Sequence, residues 1–373
     1  SRTLNHRTSR GEPTPTLTAA RDELVGIAAA VGRTGQGVLQ VISDFPDFDD
    51  EVETLRGMMA SSGRPLSVSL SQLHHRPDDW RRILDALTVA NADGLAMRAQ
   101  VAPRAIGVLI GLQATLNPLS RCASYAPLAG LDVAVQARRL ADPTLRRRIL
   151  AEYAESRRRI ADSLDRVFVL GDPPEYEPDP GTSVAATAAG LGRDPYDLFY
   201  DLLLEDEGRA LLYLPIFNYA DGNLDVVGEM LAHPHTVPGL GDGGAHVGTI
   251  CDGSFPTTLL AHWGRDRRRG PRFDVPWLVR RQTSDTAMAL GLADRGVLAP
   301  GYKADLNVID FDALQLGAPR MLHDLPAGGK RLMQRSSGYL HTVVSGAETY
   351  AGGEPTGALP GRVVRGPQPA PAG

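Results

Sequence analysis

The chain has 373 residues, 42% of them hydrophobic and 22% charged, with a net charge of -5 at neutral pH and a pI near 6.0. That length can bury one large core and a smaller one, and the mild acidity supplies no basic field for nucleic acid or anionic lipid, so a small molecule is the expected partner. Cys122 and Cys251 make no disulfide framework; the apolar stretch near residues 105 to 116 is broken by Gly107, Gly111 and Gln113 and is too short for a bilayer; no basic-then-apolar leader opens the chain. A cytoplasmic protein with no membrane segment is expected, and the oligomeric state is not legible.

The opening run from Ser1 to Arg10 reads as the inside of a longer polypeptide. Leu17, Ala20, Leu24, Ile27, Ala28 and Val31 recur at helical spacing, and Gly37 to Ser43 then reads as a buried strand. A helix over 50–61 leads to a strand over 66–71, and a helix over 78–90 leads to a strand over 95–101. Further strands are predicted at 167–170, at 211–214 and just before Asp242. Alternating helices and strands argue for parallel βα units. About six strands fall short of the eight in a closed barrel, so the expectation is an α/β chain holding an N-terminally incomplete (β/α) barrel.

An insertion is expected over about 120–200. Within it, 138–166 reads as one long helix carrying Arg146 to Arg148 and Arg157 to Arg159; Glu152, Glu155, Asp162 and Asp165 share it, which favours a solvated face over a nucleic-acid patch. The proline-rich run from Gly171 to Pro180 reads as a loop over the barrel mouth. Beyond it, residues up to 293 complete the barrel portion, 294–365 read as a β-sandwich segment, and 366–373 as a disordered tail.

The most informative segment is His235 to His246. Asp242 closes a short apolar strand and is followed by Gly243, Gly244, Ala245 and His246, so a carboxylate and an imidazole emerge where a barrel strand would end in a glycine-rich loop. Barrel enzymes carry their reactive groups at those ends, and glycines there let backbone approach a ligand; Asp-Gly is also an ordinary turn signal. Arg98 and Gln100 alternate with apolar neighbours and would share one face of their strand, where Arg98 could hold a substrate carboxylate or a rim salt bridge. Tyr219, after Pro215 to Phe217, could line the mouth or serve in packing. Cys251 has no base beside it and reads as no nucleophile.

The run from Asp294 to Asp310 resembles the segment with which amidohydrolase-superfamily enzymes leave the barrel for their β-sandwich. Val343 to Gly346 with Glu354 to Arg362 resembles the ending of the D-aminoacylases, the N-acyl-D-amino-acid deacylases. His233-Pro234, Gly241 to Gly243, Phe255 to Thr257 and Gln282 to Ala287 follow in the same order. The resemblance covers roughly 230 to 365, and it implies a C-terminal fragment of a zinc-dependent hydrolase that cleaves the C–N bond of a linear amide, with an N-acyl-D-amino acid as substrate. Openers of cyclic amides or imides, and a scaffold without activity, are the alternatives.

On that resemblance Asp242 is the general base and acid and a metal ligand, with His246 orienting substrate or sharing the proton work. Arg98, Gln100 and Tyr219 are the candidate substrate contacts. His74 and His75 resemble the paired metal histidines of the deacylases two residues late, and adjacent strand residues point to opposite faces, so one of them at most would face the barrel axis. The family's His-x-His pair is absent before the first strand, and Ser43 or Asp44 is the only polar substitute where a middle-strand histidine is expected. Most zinc ligands are therefore expected upstream of Ser1.

Overall fold

The structure is a computed structural model that describes residues 1–155, 163–241 and 243–372. Its central sheet is built from β1 (Leu39–Val41), β2 (Leu66–Leu70), β3 (Met97–Val101) and a later strand, β7 (Thr236–Pro238), all parallel and in that order. Helices α1 (Arg21–Gly32), α2 (Phe48–Ser62) and α3 (Asp79–Ala92) precede β1, β2 and β3, as the sequence pattern predicts.

Local chemistry explains these elements. The Asp47 side chain accepts a hydrogen bond from Asp50 N at 3.1 Å to open α2, and Gly63 closes it at φ 62°, a left-handed cap that glycine adopts without strain. In α3, Trp80, Ile83, Leu87 and Ala90 recur at helical spacing and are the buried residues. They pack on the face of the sheet that presents Leu66, Val68, Leu70, Met97, Ala99 and Val101. The opposite face carries Gln40, Ser67, Ser69, Arg98 and Gln100, since successive strand side chains alternate. Arg98 and Gln100 thus share a face, as their spacing predicts.

The count of parallel strands is lower than expected. β4 (Ile106–Ile110), β5 (Phe168–Val169) and β6 (Leu212–Phe217) form a separate antiparallel sheet in the order β4-β6-β5. Four residues separate β3 from β4, whereas a parallel crossover needs about a dozen. β4 therefore cannot join the parallel sheet beside β3, and β6 pairs with it. The described residues close no eight-stranded barrel.

Around that second sheet lie α4 (Val133–Leu140), α5 (Pro143–Glu155), α6 (Val184–Gly190) and α7 (Pro195–Gly208). They enclose a second hydrophobic core drawn from Ile110 to Leu214, including Tyr125, Ile149, Phe199 and Tyr200. The predicted 138–166 helix is broken between Leu140 and Pro143, where proline begins a new helix. Arg146 is not a free solvated charge, because it bonds Asp197 at 2.8 Å and also Asp201 on α7. Arg157 to Arg159 and Asp162 lie outside the described residues.

α8 (Asp225–Ala232) leads into β7, and α9 (Phe255–Ala261), α10 (Val275–Arg280) and α11 (Thr286–Ala289) follow, with π-helical turns at His262–Asp266 and Arg281–Asp285. The chain then turns to strands: β8 (Leu306–Ile309), β9 (Gln315–Leu316), β10 (Arg320–Leu325), β11 (Gly329–Met333), β12 (Ser336–Ser337), β13 (Tyr339–Val344), β14 (Ala347–Ala351) and β15 (Glu354–Pro355). β8, β13, β14 and β15 make one antiparallel sheet, and β10–β11 and β9–β12 make two-stranded ribbons. Where a disordered tail is expected, Gln368 instead pairs with the chain beyond α11: Ala293 N donates to Gln368 O at 3.0 Å, and Gln368 N to Gly291 O at 2.9 Å. No described helix is long and apolar enough to cross a membrane.

Candidate active site at the carboxyl ends of the parallel strands

β7 delivers the glycine-rich loop. Val237 and Pro238 lie opposite Gln100 and Val101, and Gly239 N continues the ladder by donating to Val101 O at 2.9 Å. The chain then leaves the sheet through Leu240, at φ 63°, and Gly241. Asp242, the residue on which the chemistry is expected to turn, lies outside the described residues. Gly244 takes φ 97°, a conformation open to glycine and costly for other residues.

His246 follows at φ 49°, and it is exposed. Its carbonyl accepts from Thr249 N at 2.7 Å and Ile250 N at 3.2 Å, while no described residue hydrogen-bonds its imidazole. Leu109 N on β4 donates to Thr249 O at 2.7 Å, Thr115 N to Gly248 O at 2.8 Å, and Leu332 N on β11 to Val247 O at 2.6 Å. The far side of the loop is thus tied to both neighbouring sheets, and its glycine-rich side is turned outward.

Beside the loop opens a cavity of about 270 Å³, with Pro103, Pro238, Gly241, Phe255, Leu259 and Gln282 among its walls. It sits where β3 and β7 end.

The other strand ends carry polar networks. Beyond β2, Gln72 is buried: its N donates to Asn218 Oδ1 at 2.8 Å, its Nε2 to Asp221 Oδ2 at 2.8 Å, and its Oε1 accepts from Ala220 N at 3.0 Å. His74 follows, half-buried, with an Nε2 that is buried and has no hydrogen-bond partner among the described residues. Burial and then the Arg166 charge hold its imidazole below the usual histidine value, against the hydrogen bond to the Pro215 carbonyl. His75 is exposed; both histidines lie in the turn closed by the Leu73–Arg76 bridge, beyond the end of β2, so the strand alternation expected of them does not apply.

Beyond β3, Arg104 is 2% exposed. Its guanidinium bonds Ser254 Oγ at 3.1 Å, Cys251 O at 3.0 Å and Asp252 Oδ1 at 3.4 Å, and lies 3.6 Å from the Tyr176 ring centre. Sequence reasoning passed over Arg104 and Gln72; a charge three residues past the end of a predicted strand was the available signal for Arg104. Cys251 is no thiolate, since burial pushes its thiol up to about 11.

Of the three expected substrate contacts, Arg98 and Tyr219 lie away from the loop, and Gln100 stays beside Gly239 at its start. Arg98 sits near the start of β3, where its Nη1 bonds Asn91 Oδ1 at 2.7 Å and His235 Nδ1 at 3.2 Å, at the end of the sheet opposite the loop. Gln100 bonds Ser67 Oγ at 2.9 Å within the sheet. Tyr219 is 3% exposed, donating its hydroxyl to Pro178 O and accepting from Arg269 Nη1 at 3.2 Å, so it packs under the 171–180 loop rather than lining the mouth.

A zinc centre needs about three protein donors. The described residues contain no group of three His, Cys, Asp or Glu able to hold a metal ion. The unpartnered Nε2 of His74 suits one imidazole ligand, but it belongs to no group of three donors among the described residues and the Arg166 charge lies near it. The described residues do not by themselves fit a zinc site.

The chain superposes on the crystal structure of D-aminoacylase with a TM-score of 0.50 and 18% identity, covering 93% of this chain and 59% of that one. A D-aminoacylase mutant in complex with 100 mM CuCl2 gives a TM-score of 0.52 at 18% identity, with the same shares covered. Two strains of Desulfitobacterium hafniense have a 5-methylthioadenosine/S-adenosylhomocysteine deaminase that is 38% identical over 88 residues, 20% of this chain and 20% of theirs. The chain thus spans 59% of the D-aminoacylase chains and a fifth of the deaminases. The profile of the amidohydrolase family matches residues 3–350, nearly the whole chain, and with parallel strands ending in the 239–246 loop this chain belongs to that family.

Proposed function

We propose that the chain belongs to a metal-dependent hydrolase that cleaves the C–N bond of a linear amide, with an N-acyl-D-amino acid as substrate. The observation that carries the reading is the pairing of a glycine-rich loop, leaving the carboxyl end of β7, with an apolar cavity beside it. In this reading Asp242 takes the proton of the attacking water and returns it to the departing amine, and His246, on the same loop, orients the substrate. The cavity excludes water from the apolar part of the substrate.

The test is steady-state kinetics of the full-length protein and its Asp242→Asn variant on N-acetyl-D-amino acids, their L enantiomers and a cyclic imide, beside a thermal melt. The amide keeps the aspartate's shape but cannot take a proton, so turnover should fall by about 10²- to 10⁴-fold with little change in melting temperature. Near-normal kcat in Asp242→Asn would make Asp242 a turn residue. A second reading, a scaffold without turnover, draws on the lack of a three-donor group among the described residues. A panel without any hydrolysis by the zinc-supplemented protein would favour it.

A further inference from the structure

We propose that the groove between the free edges of β5 and β10 binds an extended peptide, which adds as a strand to both edges and sets a carboxylate against Arg320. β5 and β10 are outermost in their sheets, and Val169, Leu170, Arg320, Met321 and Leu322 line one groove of about 580 Å³ between them. The Asp172 side chain spans one end, its Oδ1 accepting from Ala318 N at 3.3 Å.

Register decides which backbone groups each edge presents. Leu170 N donates to Leu211 O at 3.3 Å, and Phe168 lies opposite Tyr213. In an antiparallel ladder alternate residues turn their N–H and C=O toward the partner, so those of Val169 turn away from β6. On β10, Met321 lies opposite Leu332, whose N–H leaves the ribbon for Val247 O at 2.6 Å. The two form a non-hydrogen-bonded pair, and the N–H and C=O of Met321 face outward. Among the described residues neither the Val169 nor the Met321 backbone has a partner on its outer side. Such free donors and acceptors are a template for a further strand.

Side chains set the pattern of the ligand. Leu170 and Met321 pack toward the main core, whereas Arg320, Leu322 and Val169 are exposed, the last two at 39% and 48%. A bound strand therefore meets apolar surface on its inner face and a cation on its outer one, since its side chains alternate. The other charges of the lining are engaged: Arg209 bonds Asp206 at 3.0 Å, and Asp172 holds Ala318 N. Arg320 has no ion-pair or hydrogen-bond partner among the described residues, and a peptide carboxylate complements it.

The probe is a fluorescein-labelled, amidated heptapeptide, Ser-Val-Glu-Val-Thr-Val-Ser, followed by anisotropy as the full chain is added. It should bind saturably. Two copies, each N-methylated on one of the two alternating sets of residues, should each bind about tenfold more weakly, because each set faces one edge. Val169→Pro removes the outward N–H and no bond of the ladder with β6, so the variant should fold and bind the probe about tenfold more weakly. Arg320→Glu should weaken the probe about fivefold and favour a copy with lysine in place of the glutamate.

No saturable binding to the unaltered chain, indifference to either methylated set, unchanged binding by folded Val169→Pro, or no reversal of charge preference in Arg320→Glu would each overturn the proposal. So would a concentration-dependent dimer in sedimentation that Val169→Pro abolishes, because a second copy would then hold the groove. Should Val169→Pro fail to fold, the methylated peptides and Arg320→Glu decide the matter with β5 unaltered. Binding is read without turnover, and it stands or falls apart from the hydrolysis proposed above.

Discussion

Glu177 and Arg267 meet as a buried pair, with Arg267 Nη2 3.2 Å from Glu177 Oε1 and side-chain exposures of 0% and 3% for the arginine and the glutamate. His262 Nε2 donates to the other carboxylate oxygen at 3.0 Å, and Leu224 N to the first at 2.8 Å. The pair fastens the 171–180 loop to the π-helical turn after α9 and to the start of α8. Burial alone would raise the Glu177 pKa; the hydrogen bonds from His262, Arg267 and Leu224 N together outweigh it and bring the value down to about 2.

A carboxyl whose folded pKa lies below its unfolded value contributes stability that is complete above the unfolded value, about 4.3, and is lost as pH falls toward 2. The loss should be on the order of 3 kcal/mol between pH 5 and pH 2, read as a falling melting temperature. Glu177→Gln should melt lower at pH 7 and show a flatter acid limb. Equal slopes in the two proteins would separate the acid sensitivity from Glu177.

Arg104→Met should be costly despite its similar length. It leaves Asp252, itself 5% exposed, without its guanidinium partner, and removes the donors to Ser254 and the Cys251 carbonyl. Breaking one side of a buried ion pair typically costs about 3–5 kcal/mol. Urea denaturation measures it, and a loss under about 1 kcal/mol would show that water or a neighbour takes over the charge.

Zinc should bind weakly to residues 1–373 taken alone, because the described donors assemble no group of three. Elemental analysis after dialysis should find well under one zinc per chain. A stoichiometric, dialysis-resistant zinc would place a ligand set around Asp242 that the described residues do not reveal, and His74→Asn would then tell whether His74 belongs to it.

His246→Asn should reduce turnover less than Asp242→Asn does. The imidazole is exposed and no described residue holds it in place, so it suits contact with substrate better than a fixed step of proton transfer. The expected signature is a raised KM with kcat within about tenfold of the unaltered protein. A kcat loss matching that of Asp242→Asn would put the two residues in one proton relay.

The parallel strands were legible because each carries its own signal. Leu66 to Leu70 and Met97 to Val101 follow amphipathic helices closed by turns, and the Gly239 to Gly244 run marks the end of β7. The direction of β5 and β6 was not. Leu211 to Leu214 is apolar on both faces whether its neighbour runs with it or against it, and the pairing is decided by β4, some hundred residues earlier. At the site, position along the chain could be read but depth could not. Tyr219 looked like a rim residue because it flanks a strand end, and it is buried because the distant 171–180 loop covers it.

The side chains of β6 and the residue before it divide between two interiors: Leu211 and Tyr213 enter the core of the parallel sheet, and Leu212 and Leu214 enter the core enclosed by α4 to α7. Neither interior can open without pulling the same strand out of the other. The helices α4 to α7 are therefore welded to the parallel sheet rather than hung from it, and hydrogen exchange should release the amides of β6 last and in one step, with both cores melting together.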